Sequence, residues 1–405
     1  MAPRDKEDML RATPFRGSNQ TTVRGANERL VLHLVRQCGA LTKAEATRAT
    51  GLSPNAVSVI FKALEADGYL LRGDPIRGRV GQPSVPMRLN PAVRHYLGLK
   101  IGRHSYDLVA ADFLGQVVAR RTARHAYPTP TSAAAFLRGA LRPLLRSARL
   151  KPEDLSGSSV AMPSELWHWT EDFGAPSEEM AAWRDFDAAR DLGPLLPGPI
   201  STENDGTAAC RAELVFGPRR SHSDFVYFFV GAFIGGGLVL NGSVFAGARG
   251  NSGGFGPMRV PDEPGGQRLV DHASLVVLER LLAEAGEDPA ALYRDPEAWE
   301  AFEPVVGPWI LRAARSLAHA IVSTLAVIDV EAVVIDGAMP PGMRARLVRE
   351  VGRQLDLLDL QGVIRPEVEA GHFGSVARAL GAAAYRISAD HMVDGSRLLT
   401  PAAAG

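Results

Sequence analysis

Asn55, Ser58 and Lys62 are spaced three and four residues apart, and on a helix that spacing sets an amide, a hydroxyl and an ammonium along one face. Such a face suits duplex DNA. Amides and hydroxyls near a helix N-terminus reach base edges, and an ammonium one turn later meets phosphate. Downstream, Arg77-Gly78-Arg79-Val80-Gly81-Gln82-Pro83 carries two arginines on a loop whose glycines permit close backbone approach, a loop suited to phosphates or the minor groove. The candidate DNA contacts are Thr42, Ser53, Asn55, Ala56, Ser58, Lys62, Arg72, Arg77, Arg79 and Gln82. Charge agrees with them. Up to Tyr96 the chain has 15 Lys+Arg against 8 Asp+Glu, a balance of +7, and the remainder of this neutral chain is therefore −7. The basic end is where a polyanion would bind.

No catalytic constellation is legible elsewhere. No two histidines stand at metal-binding helical spacing and no Gly-x-Ser-x-Gly elbow occurs. Cys38 and Cys210 fall in segments that read as different domains, so neither a disulfide framework nor a cysteine zinc site is expected. The longest apolar stretches are broken by glycine and too short to span a bilayer, and Met1 to Arg16 carries mixed charges where a secretion signal needs an apolar run. These features predict a cytoplasmic protein without membrane association. At 405 residues with 46% apolar and 22% charged side chains, it should form two or three globular domains.

The elements that position the DNA-facing residues follow from caps and periodicity. Leu30, Val31, Leu34 and Val35 give Arg24 to Cys38 one buried face, and Gly39 ends that helix. Thr42 and Glu45 form a capping box for a helix over Lys43 to Ala49 that stops at Gly51. Ser53 and Pro54 then open a third helix to Asp67, with Ala56, Val57, Ile60, Ala63 and Leu64 as its apolar stripe. Tyr69 to Arg72 and Val85 to Leu89 read as paired strands around the basic loop. Two short helices around a tight turn, a third in front and a basic wing behind make a winged helix-turn-helix.

From Tyr96 onward, strands alternate with helices. Leu97 to Ile101, Leu108 to Asp112 and Gln116 to Arg121 read as a meander. Ser158 to Met162, Phe225 to Val230, Gly237 to Leu240 and Ala332 to Asp336 read as further strands, with helices at Thr131 to Ala148 and Val305 to Val327. An α/β domain is implied.

Thr202-Glu203-Asn204-Asp205-Gly206-Thr207-Ala208-Ala209, then Gly231-Ala232-Phe233-Ile234-Gly235-Gly236-Gly237 and Gly247-Ala248-Arg249-Gly250-Asn251-Ser252-Gly253, resemble in order and spacing the ROK family of repressors and sugar kinases. Thr50-Gly51-Leu52-Ser53 and Gly81-Gln82-Pro83 resemble the winged helix of its repressor branch, where an arginine usually stands at the place of Gln82. The resemblance implies a two-lobed actin/hexokinase-like domain, with divisions at 1–20 (arm), 21–92 (reader), 96–390 (sensor and dimerisation domain) and 391–405 (tail). It also implies that the C-terminal domains form a homodimer and that dimers can pair into tetramers.

Measured against the family's kinases, the chain lacks several parts. Lys100 stands where the first phosphate turn has an aspartate, and Arg103 where it has a glycine. Ala232 and Phe233 replace threonine and glycine in the second turn. Asp205 matches the catalytic base, yet without a bound nucleotide it has nothing to catalyse. Gly254 and Pro257 stand where a sugar-binding glutamate and the zinc-binding histidine would be, no cysteine occurs between Met258 and Val270, and Val270 replaces a further sugar-contacting glutamate. ATP use, zinc and cofactors are therefore not expected, and the chain reads as no enzyme. Of the matched sugar contacts only Asn204 and Asp205 remain. Either the pocket is rebuilt for another ligand, with Trp167, His168, Trp169, Gly254, Pro257, Asp271 and His272 as candidates, or it holds none. The expected function is a sequence-specific transcription regulator acting as a repressor on a double-stranded operator, with a sugar or other small metabolite as effector in the first case.

Overall fold

The computed structural model describes residues 24–76, 84–168, 175–218, 222–263 and 266–393. In the reader, helix α1 (Arg24–Cys38) is followed by α2 (Lys43–Thr50), which opens on a reciprocal capping box. The Glu45 N–H donates to Thr42 Oγ1 at 3.3 Å and the Thr42 N–H donates to Glu45 Oε2 at 2.7 Å, so two amides without helical partners are satisfied together. Gly51, at φ 71°, makes the left-handed turn that a side chain would strain. Helix α3 (Pro54–Ala66) then starts under Ser53, whose Oγ accepts from the Ala56 N–H at 3.2 Å.

Helix α3 buries Val57, Ile60, Phe61 and Leu64, at about 1.5–3 kcal/mol for each fully buried side chain. Phe61 belongs to this stripe, while Ala56 and Ala63 only border it. Strands β1 (Leu70–Arg72) and β2 (Met87–Leu89) pair antiparallel. Leu41 adds a third rung, because it and Met87 exchange two backbone hydrogen bonds of 2.9 Å each. Nothing in a single leucine before a capping threonine announces that bridge. Arg77, Arg79 and Gln82 lie outside the described residues, as does Trp169.

Two α/β lobes follow, built on one plan. The first sheet contains β3 (His95–Ile101), β4 (Ser105–Asp112), β5 (Val117–Arg124), β6 (Leu155–Met162) and β7 (Ile200–Asn204), in the order β5-β4-β3-β6-β7. The second contains β8 (Phe225–Val230), β9 (Ile234–Leu240) and β10 (Ser243–Phe245), then, beyond a ribbon of β11 (Arg259–Glu263) and β12 (Gly266–Arg268), β13 (Ala332–Gly337) and β14 (Glu367–Ala370). Its order is β10-β9-β8-β13-β14. In each sheet three strands meander antiparallel and two more join in parallel. Strands β8 and β13 are buried along their whole length, as suits the centre of a sheet covered on both faces.

Helix α4 (Pro130–Ala148) covers β4 and β5. In the second lobe α6 (Leu275–Glu284) and α8 (Pro341–Leu355) pack against α7 (Glu303–Leu325), which carries Trp309 and Leu317 into the largest core cluster. Two further helices interlock the lobes. Helix α5 (Asp205–Phe216) continues from β7 of the first sheet yet packs on β9 of the second, and α9 (Ala377–His391) follows β14 of the second yet packs on β3 and β6 of the first. They cross closely at Gly381, where an added Cβ would lie 1.7 Å from the Ala208 carbonyl oxygen.

The reader's core is continuous with that of the domain behind it. Leu34, Leu41, Phe61 and Leu70 share one apolar cluster with Tyr96, Phe113, Ala212, Val215, Leu380 and Ile387. Arg36 of α1 fixes this junction, donating to the Phe113 carbonyl at 2.6 Å with its guanidinium 4.9 Å from the Phe113 ring centroid and 5.7 Å from that of Phe216. Among the described residues no helix is long and apolar enough to cross a membrane.

Candidate ligand cleft and DNA-reading face

Between the lobes lies a cleft of about 570 Å³, and both ends of the β7–α5 junction contribute to it. Asn204 caps α5, its Oδ1 accepting from the N–H groups of Gly206 at 2.9 Å and Thr207 at 3.3 Å, while its Nδ2 donates to Ser164 Oγ at 3.3 Å. Asp205 begins the helix and lines the cleft. Its carboxylate is paired with Arg378 at 3.1 Å, and that guanidinium lies 4.8 Å from the Phe229 ring centroid. A carboxylate that should accept a proton from a hydroxyl is thus engaged by a cation of its own chain.

The two glycine-bearing turns are also filled from within. At the β3–β4 hairpin the Gly102 N–H donates to the Ser105 carbonyl at 3.1 Å. Lys100 is buried and donates to Ser105 Oγ at 2.8 Å and Asp107 Oδ2 at 2.7 Å. Burial first, then Arg378, lowers the Lys100 ammonium to about 8. Burial works to raise Asp107, but Lys100 and Arg120 outweigh it and hold the carboxyl well below its usual range. At the β8–β9 turn the first amides of α6 are occupied, Leu275 N–H donating to the Gly231 carbonyl at 2.8 Å and Val276 N–H to the Ala232 carbonyl at 3.2 Å. Gly102 and Gly231 each spend their N–H inside their own turn, Gly231 on the Phe233 carbonyl at 3.1 Å, so neither amide is offered to a phosphate.

Of the ligand candidates, Asn204, Asp205, Gly254, Pro257 and Asp271 line the cleft. Three others do not. His272 is fully buried, with Nε2 3.0 Å from the Gly266 carbonyl oxygen, so it braces the ribbon instead of meeting a ligand. Trp167 and His168 lie on a short helical turn outside the lining, and the indole Nε1–H donates to His168 Nε2 at 3.1 Å. The cleft gains residues that no motif indicated, chiefly Ser164, Arg268, Arg280 and Arg378. Single arginines in helices carry no sequence signal that separates a cleft from a surface.

On the reader, Asn55 and Lys62 are exposed on α3 and Ser58 is half-buried. Two expected contacts need correction. Thr42 is only 7% exposed and its hydroxyl donates to Glu45 Oε2 at 2.8 Å, so its side chain serves the cap. Arg72 is exposed but binds both Glu65 oxygens, at 2.5 and 3.2 Å, and is held on the reader's own surface. Ser53 is exposed and likewise engaged as a cap, and Ala56 is half-buried. Among the described residues one group, His222, Glu367 and Glu369, brings possible metal-ligand atoms within 4.8 Å of one another. It lies at the rim of the second sheet, outside the cleft lining, with Glu367 and Glu369 on the edge strand β14 and His222 in the loop before β8, where His222 Nε2 and Glu367 Oε2 are 2.9 Å apart.

Fold and site together define a class: a winged helix whose core runs on into a two-lobed α/β domain with a cleft between two sheets of one strand plan. The ROK family profile matches residues 96–388, and the chain belongs to that family. Its relatives include both enzymes and regulators. It is 31% identical over 210 residues to the bifunctional enzyme NanE/NanK of Brucella melitensis, covering 51% of this chain and 39% of that one. It is 21% identical over 243 residues to the xylose repressor of Bacillus subtilis, covering 60% and 62%. The chain thus spans less than two thirds of either relative. Among solved structures, a ROK family transcriptional regulator homologous to the Escherichia coli MLC protein superposes with a TM-score of 0.65 at 18% identity, covering 91% of this chain and 97% of that one.

Proposed function

We propose that this chain is a sequence-specific DNA-binding transcription regulator, most simply a repressor, whose cleft senses a small polar metabolite and does not transfer phosphate. One observation carries the reading: α3 presents Asn55, Ser58 and Lys62 outward while its opposite face belongs to the same apolar cluster as α5 and α9 of the cleft domain. A module anchored through Val57, Ile60, Phe61 and Leu64 can enter a major groove without losing its fold. The relatives' names point to sugars and sugar derivatives as the metabolite class. An open cleft that mixes apolar walls with Asn204, Asp205, Asp271 and Arg378 supports a sensor over a ligand-free regulator.

Helices α5 and α9 supply the connection. Each begins at the cleft, with Asp205 and Arg378 respectively, and each ends against the reader, with Phe216 beside Arg36 and His391 against Tyr69. An effector that prefers one arrangement of Asp205 and Arg378 shifts the reader by the same free energy. In a homodimer that shift alters the spacing of two recognition helices on a two-fold operator.

The test is genome-wide mapping of bound sites followed by binding to the recovered operator. Lys62→Ala should weaken all duplexes about equally and flatten the salt dependence, whereas Asn55→Ala and Ser58→Ala should change base preference. Equal losses on every sequence for all three would contradict this placement of α3. A sugar kinase that keeps a DNA-binding arm is the second reading, favoured by Asp205 in the cleft and by the similarity to NanE/NanK. Magnesium-dependent ATP turnover with a carbohydrate would establish it in place of the first.

A further inference from the structure

Beside the main cleft is a smaller cavity of about 140 Å³, joined to it through Arg103, Ala232 and Arg378, which line both. Its walls come from the β3–β4 hairpin, the outer strand β5, Tyr293 and the start of α9. Lys100, Arg103, Arg120, Arg124 and Arg378 face a single lining carboxylate, Asp107. That carboxylate is saturated. Asp107 already accepts from Lys100 at 2.7 Å, Ser105 at 2.9 Å, Arg120 at 2.6 Å and Thr122 at 2.6 Å.

Two of the other cations, Arg378 and Arg124, keep N–H donors for a ligand. Arg378 uses Nη1 on Asp205, and its buried Nε has no hydrogen-bond partner. Arg124 lies 5.5 Å from the Tyr293 ring centroid, a cation–π contact that takes no acceptor for its N–H donors. Planar guanidinium edges match the oxygens of phosphate and carboxylate. At about 30 Å³ per water, the cavity holds the equivalent of four or five waters, which is the scale of one tetrahedral oxyanion. The field has the matching sign. Burial, followed by Lys100, His104 and Arg103, lowers the His125 imidazole to about 4.

We propose that this second cavity binds a compact oxyanion, the phosphate or carboxylate group of a metabolite whose uncharged polar end lies beside Asn204 and Gly254 in the adjoining cleft. Side-chain cations here take over a task that the backbone of the hairpin turn does not perform. The proposal deepens the sensor reading and rests on it for the link to DNA. Anion binding itself is measured on the protein alone.

The experiment is calorimetric titration of the full-length protein, without DNA, with inorganic phosphate, glucose 6-phosphate, gluconate, glucose and magnesium ATP. It is repeated with Arg124→Glu, an exposed strand position whose reversal should leave the fold intact, as a melting curve would check. Binding of phosphate and glucose 6-phosphate assigns a phosphate site, and binding of gluconate alone assigns a carboxylate site. In either case the reversal should weaken the anion by roughly tenfold or more, as for a lost charge-assisted contact, and leave glucose unchanged. No anionic probe binding at millimolar concentration, or equal affinities in the reversed variant, would overturn the proposal. So would magnesium ATP binding more tightly than every other probe through Arg124. Failure to find an operator would remove the regulator reading and leave the anion result standing.

Discussion

Gly381→Ala tests whether the interlock of α5 and α9 holds the molecule together. The new Cβ would lie 1.7 Å from the Ala208 oxygen and 2.2 Å from its carbonyl carbon, where ordinary contact begins at 3.4 Å. One helix must therefore move by about the difference, roughly 1.7 Å. The obstacle is backbone in the middle of a helix, so no side chain can rotate away. Overpacking of a close-packed interior costs about 1–3 kcal/mol and occasionally more. This site belongs at the upper end, and at roughly 2–4 °C per kcal/mol for a large domain the melting temperature should fall by about 6–12 °C. Scanning calorimetry of the intact chain measures it. Because both helices connect cleft and reader, operator affinity should respond less steeply to effector in the same variant. A melting temperature within a degree of the parent would refute the claimed closeness of the crossing.

Two other predictions concern the junction. Arg36→Ala removes a charge-assisted hydrogen bond and two ring contacts, together worth about 2–3 kcal/mol. Hydrogen exchange should rise along α1 while the second lobe keeps its protection, and uniform exchange across the chain would contradict a local role. The second is a pH dependence. Burial first, and then neighbouring arginines, lower His33 and His391 to about 4, so below the ordinary value of 6.5 the unfolded chain binds protons that the native state refuses. Their contribution is complete above pH 6.5 and is lost as pH falls from 6.5 to 4. Carboxylates held low, such as Asp107, act only below about pH 4. Urea titrations should show a declining midpoint through that window, and His391→Gln, which takes up no proton, should shrink the decline. A flat profile would remove the buried histidines from the account.

The reader was largely legible because caps are local chemistry. Thr42, Glu45, Gly51 and Ser53 specify helix ends within a few residues, and the structure puts the ends there. The first meander was legible from alternation and glycine turns, whereas its counterpart in the second lobe read only as separate strands; of the long helices, α4 starts one residue before its predicted first residue and α7 is shifted two residues toward the N-terminus at both ends. What stayed hidden depends on contacts distant in sequence. The pairing of Asp205 with Arg378 joins residues separated by 173 positions, and nothing near either one announces it. His272 stood with Asp271 among the ligand candidates, yet the turn that makes Asp271 line the cleft sends the imidazole into the core. Thr42 could not be separated by sequence into cap and contact, and packing decided for the cap.

The apolar cluster shared by Leu34, Phe61, Leu380 and Ile387 also has a consequence during synthesis. The ribosome releases the DNA-facing segment long before the helix that completes its hydrophobic seat. A product halted before residue 377 keeps α3 yet lacks Leu380, Ala383, Ala384 and Ile387, the part of that cluster supplied by α9. Truncation before α9 should therefore loosen the N-terminal helices, and fragments from premature stop codons should be cleared faster than finished protein in the same cell.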